Sequence, residues 1–137
     1  RECLEGQAAA LAAERATPAE VDALAEAYAV MEAADETSDA AIDADLRFHR
    51  AILTCAHNEL LVQMAGVIAV GLLVSFRIST GSYRLSLARH AEVQDAIRRR
   101  RPQQARDAMV RLLAGTQEFL ERELGVSAEA DAPALSR

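Results

Sequence analysis

Lysine and tryptophan are absent from this 137-residue sequence, and its aromatic rings amount to two tyrosines and three phenylalanines. With so few rings there is no stacking platform of the kind that binds single strands of nucleic acid. The two cysteines, Cys3 and Cys55, stand far apart with no CxxC pair. That excludes a zinc knuckle or a disulfide framework and fits a reduced, cytoplasmic protein. Three prolines and six glycines are few breakers for a chain with 30 alanines. Such a composition predicts an all-α fold. No apolar run reaches the roughly 20 residues needed to cross a bilayer. The longest, Leu60 to Phe76, is interrupted by Gln63 and Ser75 and reads as a buried central helix, with no membrane partner. An initial Met and a secretory leader are also missing, so the chain reads as a fragment whose preceding part is cut away at Arg1.

What is present is a chain with 51% hydrophobic and 26% charged residues, the size and balance of one globular domain. Residues 1–45 hold 2 arginines against 12 acids, and residues 46–137 hold 13 against 9. A domain this acidic at its start has no basic face for DNA. The run Arg98 to Arg101 reads as a solvated helix end, since no second basic cluster accompanies it.

Hydrophobic spacing predicts an antiparallel bundle of about six helices over residues 1–124, followed by a disordered tail, 125–137. The first helix carries Leu4, Ala8 and Leu11 as its stripe, with Glu5, Gln7 and Glu14 on its other faces. Thr17-Pro18-Ala19-Glu20 is a capping box that opens the second. A third runs from about Ser38 to Cys55, and Asn58 caps a fourth that continues to about Ile78. The fifth spans about Tyr83 to Arg100, and Pro102 starts the sixth, which stops near Leu124-Gly125.

Three polar residues fall where such a bundle should be dry. Asp45 and His49 are four apart and share a helix face, and His90 sits in register with Leu87, Val93 and Ile97. Two readings are open on this spacing: the ligands of a divalent ion such as Zn, Ni or Mn, or an Asp–His pair satisfied by its own hydrogen bonds. Arg77, near the end of the apolar helix, is placed to clamp a carboxylate bidentately or to reach solvent at the helix end. Ser75, Gln94 and Thr116 are further candidates for a pocket wall, and His57 and Asn58 read as an exposed residue and a cap.

Asp45-Leu46-Arg47-Phe48-His49, followed by Ala56-His57-Asn58-Glu59-Leu60-Leu61, resembles the D-x-x-F-H…A-x-N-x-x-L signature of the FCD domain. That domain is the C-terminal, effector-binding half of FadR-type regulators in the GntR family. His90-Ala91-Glu92-Val93, Asp95-Ala96-Ile97, Ala105 and Ala108-Met109 are similar to its later stretch, and Arg1-Glu2-Cys3-Leu4-Glu5 to Ala12-Ala13 to its start. The resemblance implies metal ligands at Asp45, His49 and His90 and a fourth histidine on the last helix, where this chain has Leu112. It leaves either a metal with extra open positions or histidines that meet the ligand directly. It further implies a homodimer, a small carboxylate effector such as a sugar acid, and DNA contact only through a winged helix-turn-helix upstream of Arg1. No catalysis is implied. The rival readings are a metal-free structural dimerisation module and a mononuclear metal enzyme, the latter without a visible general base or paired Glu-x-x-His motifs.

Overall fold

The computed structural model describes residues 1–36, 38–78 and 83–125, with the side chains of 76–78 and 123 left aside. Among them lie seven helices and no strand: α1 (Glu2–Arg15), α2 (Pro18–Ala33), α3 (Asp39–Cys55), α4 (Glu59–Gln63), α5 (Ala65–Ile78), α6 (Tyr83–Arg98) and α7 (Pro102–Leu124). The expected tail falls outside the described residues, apart from the capping Gly125.

The helix boundaries follow from local chemistry. At the start of α2 the Thr17 hydroxyl accepts from Glu20 N–H at 3.3 Å, and the Glu20 carboxylate accepts from Thr17 N–H at 2.7 Å. Two backbone donors that the helix cannot satisfy are thereby paired. Thr17→Ala is expected to lower stability by about 1 kcal/mol, read as a shifted midpoint in urea denaturation with an unchanged slope. Ser38 caps α3 by accepting from Ala41 N–H, and Asn58 caps α4 by accepting from Leu60 and Leu61 N–H, without the reciprocal carboxylate. The α6 terminus is closed by Arg101 N–H on the Ala96 carbonyl and Arg100 N–H on that of Ile97, with Arg100 at φ 57°. This is the paired closure that ends many helices in a left-handed residue. Arg98 and Arg99 both pair with Asp95, as a solvated helix end would.

Two expectations are corrected. The single helix from Asn58 to Ile78 is two, because at Met64 (ψ −7°) the N–H is shared among the carbonyls of Leu60, Leu61 and Val62 and the helix is interrupted there. Nor is that segment central: Val67, Val70 and Val74 of α5 are 64, 62 and 54% exposed, and among its described side chains Leu61, Ile68 and Leu72 are the buried ones. The central place belongs to α1, which packs against α3, α6 and α7. Its Ala8, Ala9, Ala12 and Ala13 are completely buried, while the expected stripe residues Leu4 and Leu11 are only half-buried. Small side chains let three helices close on one axis, which a rod of valines and leucines would hold apart. At Gly6 a β-carbon would stand 3.3 Å from Val110 Cγ2, so α7 passes as near as the backbone allows.

The remaining core is built of large residues around that alanine axis: Leu24, Met31, Phe48, Ile52, Ile97, Met109 and Leu112, none more than 2% exposed. Burial of this kind stabilises by roughly 1.5–3 kcal/mol per large side chain. It also places the inward faces of α3 and α6 opposite each other across Phe48.

Candidate metal centre

Asp45 and His49 project from one face of α3, and His90 projects toward them from α6. All three are buried, and one ligand atom from each lies within 4.8 Å of the others. Phe48 wedges between the helices, its ring edge-on to His90 at 5.2 Å and to His49 at 5.9 Å between centroids. The imidazoles therefore have little room to turn.

The proton positions follow from the partners. His90 Nδ1 lies 2.8 Å from the Ser86 carbonyl oxygen, which can only accept, so Nδ1 carries the proton and donates. His90 Nε2 is then a bare lone pair. It is buried and makes no hydrogen bond, although Asp45 Oδ1 is 3.2 Å away. His49 Nδ1 is hydrogen-bonded to the Glu5 carboxylate, and its Nε2 is the ring nitrogen left for the cluster. Two imidazole nitrogens and a carboxylate oxygen thus converge, which is the donor set of a divalent transition metal.

Electrostatics point the same way. Burial pushes the Asp45 carboxyl up, but the close approach of His90 and then the charge of His49 outweigh it and hold Asp45 below the ordinary carboxylate range. Burial likewise works against charge on Glu5, where His49 and then Arg1 prevail and lower its pKa. For His49, desolvation opposes the charged form, and Glu5 followed by Asp45 more than offsets it, so its pKa is raised. Two ionised carboxylates, Glu5 and Asp45, therefore bear on the His49 ring, with Arg1 closing on Glu5.

The ligand atoms open onto a cavity of about 40 Å³ whose wall includes Arg1, Ser75, Tyr83, Ser86, Leu112 and Thr116. That is room for an ion with two or three waters, or for a carboxylate head. An adjoining cleft of about 370 Å³ shares Arg1, Ser75, Leu113 and Thr116 with it and opens past Gln117 and Leu120. Tyr83 closes the inner wall, its hydroxyl donating to the Met31 carbonyl at 2.7 Å, and burial pushes its pKa up to about 12.

Of the residues singled out in the sequence, Asp45, His49 and His90 come together, and Ser75 and Thr116 line the cavity. Gln94, half-buried one turn beyond His90, does not line it. The Arg77 side chain lies outside the described residues. His57 is exposed and tied by Nε2 to Glu20 at 3.0 Å, away from the site. Leu112 faces the cavity at 2% exposure, so an apolar group stands where a fourth ligand would enter. Glu5 was placed on a polar face of the first helix and is instead 2% exposed, against His49. Its spacing three and four residues before Ala8 and Ala9 puts it on their face, but alanines suit a surface as well as a core and give no signal of burial.

No curated protein matches the chain. The family model of the FCD domain matches residues 1–115, which covers α1 to α6 and the first half of α7. FCD domains are generally regulatory, effector-binding and non-catalytic. The chain belongs to the FCD domain family.

Proposed function

We propose that this domain is the effector-sensing half of a cytoplasmic GntR-type regulator of the FadR subfamily, and that Asp45, His49 and His90 hold one divalent ion beside which a small organic acid binds. The observation that carries this reading is the buried His90 Nε2, a lone pair facing a carboxylate oxygen at 3.2 Å with no hydrogen bond between them. Two acceptors so placed repel unless a cation or proton lies between. When bound, the metal supplies a Lewis-acid position for an effector oxygen.

The protein's own groups do the rest. Asp45, His49 and His90 present three donors and leave the side toward Leu112 without one, so water or an effector carboxylate has a place at the ion. Arg1, at the shared rim of the two cavities, is placed to meet an effector carboxylate. Ser75 and Thr116 at the same rim, with Gln117 beyond, offer hydroxyl and amide groups to a polar body such as that of a sugar acid. Occupation then shifts a homodimer between two arrangements of separate DNA-reading domains by differential affinity.

Protein purified without added metal is expected to carry about one divalent ion per chain by elemental analysis. A panel of organic acids should include one that raises the melting temperature by several degrees at about a hundred times its Kd. A metal-free protein stabilised by no acid in the panel would overturn the reading.

A further inference from the structure

Glu5 is a carboxylate buried among alanines in the first turns of the central helix, and both of its oxygens are engaged. Oε1 receives Arg1 Nε at 2.8 Å, and Oε2 is hydrogen-bonded to His49 Nδ1, 44 residues along the chain. A buried carboxylate is rarely tolerated without such partners. Here one partner is a ring that belongs to the cluster of Asp45 and His90.

We propose that Glu5 is the positioning residue of the metal site: its carboxylate accepts a hydrogen bond from the Nδ1–H of His49, so that Nε2 is the nitrogen offered to the ion, while Arg1 holds Glu5 in place. The inference rests on the metal reading above. A neutral imidazole has one N–H, and the partner of one nitrogen decides what the other can do. An ionised carboxylate only accepts, so His49 Nδ1 must donate. Glu5 thereby selects the tautomer, aims the ring, and makes Nε2 a better electron-pair donor. His90 is fixed by the Ser86 carbonyl, a neutral acceptor, so the charged support falls on His49 alone. The α1–α3 packing that buries Ala8 and Ala12 also brings this carboxylate to the ring.

Zinc affinity measured by competition with a chromophoric chelator tests the assignment. Glu5→Gln keeps the size of the side chain but lets its amide donate to Nδ1, which favours the wrong tautomer. It is expected to bind zinc about 10- to 100-fold more weakly than wild type. Thr17→Ala, which loosens α2 away from the site, should stay within about two-fold of wild type. In the zinc-loaded wild type, long-range proton–nitrogen spectra should show His49 with a proton on Nδ1 and the metal on Nε2. This measurement decides the matter even if the glutamine variant fails to fold. Equal zinc affinity in a folded Glu5→Gln protein, or zinc bonded to His49 Nδ1, would overturn the proposal. A wild type that takes up no zinc would instead overturn the metal site itself.

Discussion

The His90→Ala variant is expected to bind zinc more than about a hundred-fold more weakly than wild type, because losing a direct ligand costs more than losing the group that orients one. Only Asp45 and His49 would remain, both on α3, and two donors from one helix face leave an ion mostly to water. The reverse change is equally informative. Leu112 lines the same cavity from α7, so Leu112→His adds a donor from a third helix and should tighten zinc binding. Acid should weaken wild-type binding as well: the pKa of His49 is raised, and the metal must displace the proton from Nε2. Affinity therefore falls as the pH drops through and below that raised value. Chelator competition checks all three expectations, and a His90→Ala protein that binds as tightly as wild type would place the ion elsewhere.

How far the sequence foretold this site depends on what each residue's position required. Asp45, His49 and His90 were legible because each sits in a helical repeat of large apolar neighbours, where a polar residue stands out. Glu5 was not. Its neighbours are alanines, which suit a surface as well as a core, and α1 became central only through close approach to α3, α6 and α7. The same ambiguity misplaced α5. A helix that is apolar all round reads as surrounded, yet in the single chain its Val67, Val70 and Val74 face outward. Helix ends were read well where side chains make the cap, as at Thr17, Ser38 and Asn58. The break at Met64 was not, because it rests on shared backbone hydrogen bonds that no residue type announces. Ser86 escaped for a similar reason: what fixes His90 is its carbonyl, which any residue has.

Replacing Phe48 by alanine should be the most destabilising single change in the core of α3, costing about 3–5 kcal/mol. Its ring is completely buried and meets Tyr28 at 6.4 Å, His49 at 5.9 Å and His90 at 5.2 Å, all edge-on. Truncation removes the apolar surface and leaves a void that three helices cannot close without moving the alanine axis. For a domain of this size the loss corresponds to a melting temperature lower by roughly 10–20 °C. Urea denaturation of chelator-treated protein measures the packing term alone, since no metal then contributes to the folded state. Phe48→Leu keeps much of the volume and should lose far less, on the order of 1 kcal/mol. The two variants should also part in zinc binding. Both histidine rings lean on Phe48, so the alanine protein frees them to leave the geometry that Glu5 and Ser86 impose, whereas leucine still blocks that motion. A Phe48→Ala protein within about 1 kcal/mol of wild type would mean that the ring is not what holds α3 and α6 in register. If its zinc affinity were also unchanged, the hydrogen bonds to Glu5 and Ser86 would by themselves suffice to aim the two imidazoles.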